Sequence, residues 1–227
     1  MAITGILFIL AAYLIGSIPT AYLAGKLYRG VDIRHVGTGT AGGSNVWQTV
    51  SRPVSVAVAF ADACKGFVVI IVSRLLHLDL PSEAAGAVAV IAGHNWSVFL
   101  RFNGGRGVAT MTAVLLLMAP RDLVIAIIPV LVSMPVKQMA LGVIIGVVAL
   151  PVVSLLWHDP LALTLGCLGI LVMIVAGRLI ANWSRPAEYS NAKLVLLYRF
   201  LFDRDTRDRE SWVKRGHSGI DRDEAKT

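Results

Sequence analysis

Long apolar runs recur along this chain at intervals too short for a water-soluble core. Hydrophobic residues make up 56% of the 227 residues and charged residues only 15%, whereas soluble domains carry about 25% charge. A run of about 20 apolar residues is long enough to cross a bilayer as a helix. The sequence therefore predicts an all-α fold, a polytopic bundle of membrane helices.

Seven crossings fit the apolar pattern best. The fourth and fifth are short for a hydrocarbon core about 30 Å thick, and Arg121-Asp122 beside Pro120 separates them. The alternative is one long helix that contains this charged pair, which gives six crossings and puts both termini on one side. The seven predicted crossings are about 3–24, 54–76, 83–100, 107–120, 122–137, 139–157 and 161–181.

The distribution of basic residues predicts the orientation of the bundle. The first apolar run lacks the basic region of a cleavable signal, so we expect it to be retained as the first helix. With the N-terminus outside, the loops around Arg34, Arg106 and Lys137 and the basic C-terminal region are cytoplasmic. The glycine-rich stretches described next then open to the cytoplasm.

Two glycine-rich, cationic stretches lie between the apolar runs. The first, residues 37–45, reads Gly-Thr-Gly-Thr-Ala-Gly-Gly-Ser-Asn, and the second, residues 104–107, reads Gly-Gly-Arg-Gly. Glycine lets backbone N–H groups converge on an anion, and a nearby guanidinium adds positive charge. The pattern predicts a site for phosphorylated, partly apolar substrates. One alternative is a flexible turn between helices that binds no ligand. A dinucleotide-binding fingerprint is disfavoured, because no βαβ unit surrounds the glycines.

Three further polar residues stand out in or beside the apolar runs. Asp62 and Lys65 are three residues apart and share one helical face, where they form a structural ion pair or serve the substrate. His94 follows Gly93 near a helix end and is a candidate general base, or a histidine bonded to backbone. The histidines show no metal-ligand spacing, so we expect no metal site.

The C-terminal region differs in composition from the rest. We divide the chain into a transmembrane domain, residues 1–184, and a cytoplasmic region, residues 185–227. Residues 193–202 are apolar with flanking cations and too short to span, which predicts an interfacial helix. From Asp203 onward the charges alternate in sign without an apolar period, which predicts a mobile tail. The net charge of +7 favours anionic lipid and phosphorylated substrates over nucleic acid.

In order and spacing, these motifs resemble the bacterial acyl-phosphate-dependent glycerol-3-phosphate acyltransferases of the inner membrane. The resemblance covers nearly all of residues 1–180. It rests on Gly16-Ser-Ile-Pro19, Asp32-Ile-Arg34, the stretch from Gly37 to Gln48, Asp62-x-x-Lys65-Gly66 and the stretch from Gly93 to Thr110.

The resemblance implies a seven-helix bundle that moves a fatty acyl group from acyl phosphate to the 1-hydroxyl of glycerol 3-phosphate. The products are lysophosphatidic acid and phosphate, no cofactor is needed, and we expect a monomer. The catalytic residues it implies are Thr38, Asn45, Arg106 and His94. The substrate-binding residues are Gly37, Gly39, Gly42, Ser44, Gly104, Gly105, Gly107, Arg178 and Lys65.

The chain departs from the family pattern at several motif positions. Gln48 stands where the family has arginine, and Arg106 where it has lysine. Gly177 and Ala181 stand where the family has histidine and asparagine. Lys137, Arg178 or Arg34 could replace the missing guanidinium. The alternatives to an active acyltransferase are a divergent or inactive member that acts on or binds another polyol phosphate and, with less support, a small transporter.

Overall fold

The computed structural model describes residues 2–180 and 191–207, and all regular structure within them is helical. The α-helices are α1 (Ala2–Ser17), α2 (Thr20–Arg29), α3 (Gly43–Thr49), α4 (Arg52–Leu75), α5 (Leu80–Asn95), α6 (Val108–Met118), α7 (Pro120–Ser133), α8 (Met139–Leu156), α9 (Leu161–Leu179) and α10 (Ala192–Phe202). Short 3-10 turns lie at Ile33–His35 and Val98–Leu100. The prediction of an all-α fold is confirmed.

The first predicted crossing is broken rather than continuous. Helix α1 ends at Ser17 and α2 begins at Thr20, because Pro19 has no N–H to continue the helical ladder. The carbonyl of Ile18 beside the break accepts a hydrogen bond of 2.6 Å from Lys65 Nζ. A buried lysine on α4 therefore satisfies the backbone exposed by the break.

Four helical segments of the described residues are long and apolar enough to cross a membrane. They are Ile3–Arg29, Arg52–Leu75, Met139–Leu156 and Leu161–Leu179. Helices α5, α6 and α7 have 16, 11 and 14 residues. The chain is thus a polytopic bundle of apolar helices, and the count of seven crossings stays a prediction.

The chain reverses direction between α6 and α7 instead of running on as one long helix. Gly107 before α6 and Lys137 after α7 line the same cavity, so both helices have one end there. At the opposite end Arg121, in the first turn of α7, pairs with Asp159 at 2.6 Å. The adjacent charged residues Arg121 and Asp122 therefore lie at an end of the bundle and not in the middle of a single long helix.

Small residues let the helices pack closely. A Cβ on Gly16 of α1 would lie 2.1 Å from the carbonyl oxygen of Val90 on α5, and one on Gly93 of α5 would lie 2.1 Å from that of Tyr13 on α1. Only glycine allows such close backbone contact, which is typical of membrane helix pairs. This contact fixes the end of α5, and with it His94, against α1.

The C-terminal region is helical and docked as far as the structure describes it. Helix α10 confirms the helix predicted at 193–202, and its buried Val195 and Arg199 lie toward α8 and α9. The mobile tail from Asp203 onward stays a prediction, although its first residues, 203–205, have side-chain partners in the structure. Asp203 pairs with Arg106, Arg204 is hydrogen-bonded to Gln138, and buried Asp205 pairs with Arg199. Ala181, Asn182 and residues 208–227 lie outside the described residues.

Candidate functional site

The two glycine-rich stretches lie far apart in sequence and meet at one end of the bundle. The backbone N–H of Ala41 donates a 3.1 Å hydrogen bond to the carbonyl of Gly104. A second link runs from Arg34 Nη1 to the carbonyl of Leu100, also at 3.1 Å. We call residues 30–51, between α2 and α4, the first connector, and residues 96–107, between α5 and α6, the second connector. The two hydrogen bonds fix the connectors relative to each other, so the two glycine-rich stretches form one unit.

Arg34 is held in place by Asp32. The guanidinium donates through Nε at 3.0 Å and Nη2 at 2.6 Å to the two carboxylate oxygens of Asp32. Burial alone would raise the pKa of Asp32, but hydrogen bonds from the Arg34 side chain and backbone outweigh it and hold the pKa below its ordinary value. The Arg34 guanidinium is therefore bound to Asp32 and to the Leu100 carbonyl, where it links the two connectors, and it does not line the cavity.

Asn45 holds the first glycine-rich stretch in shape. It is fully buried, because α3 begins at Gly43 and brings Asn45 beneath the loop. Its Oδ1 accepts the N–H of Thr38 at 3.0 Å. Its Nδ2 lies 2.8 Å from the carbonyl of Ile33 and 3.0 Å from those of Val36 and Thr40. One side chain thus satisfies four backbone groups, and its polar atoms point into the loop.

Glycines at two positions give this loop its turns. Gly37 and Gly39 have φ of +60° and +69°, a region that side chains with a Cβ rarely adopt. Between them, Thr38 places its hydroxyl 3.0 Å from that of Thr40. The turns therefore present a pair of hydroxyls toward the space enclosed by the connectors.

That space is a cavity of about 610 Å³. One wall is polar and comes from the first connector, with Thr38, Thr40, Ser44 and Gln48. The facing helices α6 and α8 add an apolar wall, which includes Val108, Ala109, Met139 and Val143. A cavity with both kinds of wall suits a ligand that carries a charged group and an apolar chain.

Cations predominate among the charged residues around the cavity. The basic lining residues are Arg106, Lys137, Arg178 and Arg204, and the acidic ones are Asp62 and Asp203. Asp62 is already neutralised by Lys65, whose Nζ lies 2.6 Å from its Oδ1. The remaining charges leave a positively biased cavity, as expected for a phosphate site.

His94 reaches the cavity from the end of α5. It is buried except for 8% of its surface, and its Nδ1 lies 3.5 Å from Asp62 Oδ1. A Cβ on Gly105 would come within 2.2 Å of His94 Nε2, so the imidazole packs against the bare face of this glycine. The carboxylate on one side and the second connector on the other orient the ring.

Arg106 and Arg178 of the cavity lining are both hydrogen-bonded. Arg106 Nε donates to Asp203 Oδ1 at 2.6 Å. Arg178 is almost fully buried and donates to the carbonyls of Phe200 and Ala140, both at 2.9 Å. The C-terminal region therefore contacts both guanidinium groups.

Seven of the predicted site residues line the cavity: Thr38, Gly42, Ser44, His94, Arg106, Gly107 and Arg178. The other six do not line it. Asn45 shapes the loop, Lys65 binds Asp62 and the Ile18 carbonyl, and Gly37 and Gly39 form turns. Gly104 and Gly105 pack against the end of α5, where a Cβ on Gly104 would lie 2.1 Å from the His94 carbonyl oxygen. These four glycines shape the loops around the cavity without lining it.

Sequence reasoning missed three features of the site. Asp62 was paired with Lys65 only, although it also faces His94. Gln138 lines the cavity beside Lys137, and no pattern in the sequence marks it. Phe202, Asp203 and Arg204 were assigned to the interfacial helix and the mobile tail, yet they line the cavity. At Gly177, where the family pattern has histidine, a Cβ would lie 2.9 Å from Asn95 Nδ2, so the glycine packs directly against Asn95.

The chain is similar in sequence to known membrane acyltransferases. The family model described as glycerol-3-phosphate acyltransferase matches residues 6–188. Glycerol-3-phosphate acyltransferase 5 of Dehalococcoides mccartyi is 39% identical over 221 residues, 95% of each chain. Glycerol-3-phosphate acyltransferase 4 of Dehalococcoides mccartyi strain CBDB1 is 42% identical over 212 residues, 90% of this chain and 91% of the relative.

Solved structures show the same similarity in three dimensions. The crystal structure of PlsY (YgiH), an integral membrane glycerol 3-phosphate acyltransferase, in its glycerol 3-phosphate form aligns with a TM-score of 0.69 at 26% identity. The alignment covers 77% of this chain and 88% of that one. The lysophosphatidic acid form of PlsY aligns with a TM-score of 0.67 at 25% identity over the same shares.

Proposed function

The chain belongs to the glycerol-3-phosphate acyltransferase family, and we propose that it moves a fatty acyl group from acyl phosphate to the 1-hydroxyl of glycerol 3-phosphate. The products are lysophosphatidic acid and inorganic phosphate. The observation that carries the proposal is the meeting of the two glycine-rich connectors around one cavity, through the Ala41–Gly104 hydrogen bond. That cavity offers cations and hydroxyls beside an apolar wall, which suits two phosphates and an acyl chain.

The reaction needs positioning more than a protein nucleophile. Acyl phosphate is a mixed anhydride with a good leaving group. The 1-hydroxyl oxygen forms a bond to the acyl carbon, and the bond from that carbon to the phosphate oxygen breaks. Holding the two substrates in contact supplies much of the rate, and cations at the phosphates stabilise the charge that develops on the leaving oxygen.

The lining residues divide into phosphate ligands and a group for the proton. Arg106 and Arg178 bind phosphate, and Thr38, Ser44 and the backbone of Gly42 and Gly107 donate hydrogen bonds to it. His94, oriented by Asp62, accepts the proton of the attacking hydroxyl; the alternative acceptor is a phosphate oxygen of the substrate. Asn45, Lys65 and the remaining glycines act as positioning residues.

The proposed topology has seven crossings with the cavity at the cytoplasmic face of the bacterial inner membrane. Helices α1 and α2 together form the first crossing, and α4 to α9 form the other six. Basic residues at the cavity end support this orientation, and phosphorylated metabolites are available there. We propose that the chain acts as a monomer, because described residues of one chain form both the polar and the apolar side of the cavity. We also propose that α10 lies in the membrane interface.

The test supplies purified protein in detergent with acyl phosphate and labelled glycerol 3-phosphate. We expect lysophosphatidic acid and one phosphate per product, with no requirement for acyl-CoA, carrier protein or metal. No product under conditions in which another family member turns over would contradict the proposal. Product with a different polyol phosphate alone would favour the divergent-member alternative, for which Gln48 in the cavity wall is the structural basis.

A further inference from the structure

The described residues after α9 complete the cavity. We call residues 191–207 the C-terminal segment; it comprises α10 and the turn that follows. Phe202, Asp203 and Arg204 of this segment line the cavity, although the family match ends at residue 188. This wall therefore comes from outside the part of the chain that defines the family.

The segment is anchored where it meets the cavity. Arg199 is buried, pairs with buried Asp205 and donates to the carbonyl of Leu179 at 3.1 Å. Arg178 of α9 donates to the carbonyl of Phe200. Buried charged hydrogen bonds of this kind hold a backbone in one place, so Asp203 and Arg204 have defined positions at the cavity wall.

Asp203 binds Arg106 through one edge of the guanidinium only. The hydrogen bond uses Nε, and no other described residue accepts a hydrogen bond from Arg106. The two terminal nitrogens are then available for a bidentate contact with an anion, the geometry that makes arginine a good phosphate ligand. A carboxylate at Nε fixes the plane of the guanidinium and so its aim.

Arg204 adds a cation on the side of the cavity formed by the C-terminal segment. It is only 8% exposed, its Nη2 lies 3.3 Å from Gln138 Oε1, and its guanidinium lies 5.2 Å from the Phe202 ring centroid. The first connector lines the cavity with hydroxyls, glycines and Gln48 but with no cation. The positive charge opposite that connector therefore comes partly from the C-terminal segment.

We propose that the C-terminal segment is part of the substrate site. Arg204 binds a substrate phosphate, and Asp203 is a positioning residue that orients the Arg106 guanidinium toward a substrate phosphate. The inference rests on the proposed function. The phosphate belongs to glycerol 3-phosphate or to acyl phosphate, and the Michaelis constants of the two substrates distinguish these sources.

Arg204→Gln tests the phosphate contact, with Arg207→Gln as the matched control. Arg207 is an exposed arginine of the same segment that does not line the cavity. We expect Arg204→Gln to raise the KM of one substrate about tenfold or more, and to raise the inhibition constant of inorganic phosphate by a similar factor. Arg204→Lys keeps the charge and should recover part of the loss. Arg207→Gln should match the wild type.

The outcomes separate the inference from the proposed function. An inactive wild-type protein contradicts the proposed function itself. An active wild type together with unchanged KM and phosphate inhibition in Arg204→Gln overturns the role of Arg204. Should Arg204→Gln not fold, Arg204→Lys decides: a KM raised several-fold with an unchanged unfolding temperature supports the contact, and a wild-type KM overturns it.

Variants of Asp203 test the positioning role by the sign of the change. Asp203→Asn keeps an acceptor for Arg106 Nε, and Asp203→Ala removes it. We expect KM to rise in both, about tenfold in Ala and less in Asn, with a smaller change in kcat. A fall in KM in both variants would show that the carboxylate competes with phosphate for Arg106 and would overturn the assignment.

Discussion

Replacing Gly105 by alanine perturbs the contact between the second connector and His94. A Cβ there would lie 2.2 Å from His94 Nε2 and 2.9 Å from the backbone oxygen of Ala41. Ordinary contacts begin at 3.4 Å, so the imidazole and the connector must separate by about 1 Å. The first connector blocks movement on the other side, because Ala41 is hydrogen-bonded to Gly104.

A misplacement of about 1 Å in an active site can cost about 10²-fold in rate, which corresponds to about 2.7 kcal/mol of transition-state stabilisation. We therefore expect Gly105→Ala to lower kcat/KM about a hundredfold while the helices stay assembled. The assay is lysophosphatidic acid formation from acyl phosphate and glycerol 3-phosphate, measured beside the thermal unfolding of the same preparation in detergent.

Gly30→Ala is the control, because it adds the same methyl group at a glycine that neither lines the cavity nor contacts His94. Gly30 has φ of +68° and nothing within 4 Å of the added Cβ, so its cost is backbone strain of about 1–2 kcal/mol. It should lower the unfolding temperature and leave kcat/KM within about threefold. Near-normal kcat/KM in a folded Gly105→Ala would refute the claim that this contact sets the geometry of the site.

Three more predictions follow from the contacts described above. Arg106→Ala should lower kcat/KM by about 10²–10³-fold, because it removes a phosphate donor, and initial rates at low substrate check this; a loss below threefold would count against Arg106 as a ligand. Gly16→Ala should lower the free energy of unfolding by about 1–3 kcal/mol, since its Cβ would meet the Val90 carbonyl at 2.1 Å, and thermal unfolding should show a much smaller effect for Gly5→Ala. Asp32→Asn should lower the unfolding temperature at pH 7, because a depressed pKa stabilises the folded state only while the carboxyl is ionised. The difference in unfolding temperature between variant and wild type should shrink as the pH falls below the ordinary aspartate pKa of 3.8. Unfolding temperatures that differ equally at pH 3 and pH 7 would contradict this.

The helices were predictable because lipid imposes a length and a composition on each segment. The predicted crossing at 139–157 appears as Met139–Leu156 and that at 54–76 as Arg52–Leu75. The break at Pro19 was not predicted, although a proline inside a helical pattern signals one. What the sequence could not show is that Lys65 reaches the Ile18 carbonyl from another helix. Such contacts are tertiary and leave no periodic signal.

The chemistry of the site was predictable from residue types, but its construction was not. Glycines beside Arg106 pointed to an anion site, and Arg106 lines the cavity. The sequence did not distinguish Thr38, whose side chain faces the cavity, from Asn45, which faces the loop, because that choice depends on where α3 begins. The pairing of Arg106 with Asp203 joins residues 97 positions apart, and alternating charges in the tail gave no sign of it.

A crystal structure of this chain with bound glycerol 3-phosphate would show directly whether the two glycine-rich connectors bind one substrate. We expect the phosphate of glycerol 3-phosphate to lie within hydrogen-bond distance, about 2.7–3.2 Å, of the Arg106 guanidinium and of at least one donor from residues 38–44. A phosphate bound in contact with only one of the two glycine-rich connectors, or at the opposite end of the bundle near Arg121, would contradict it.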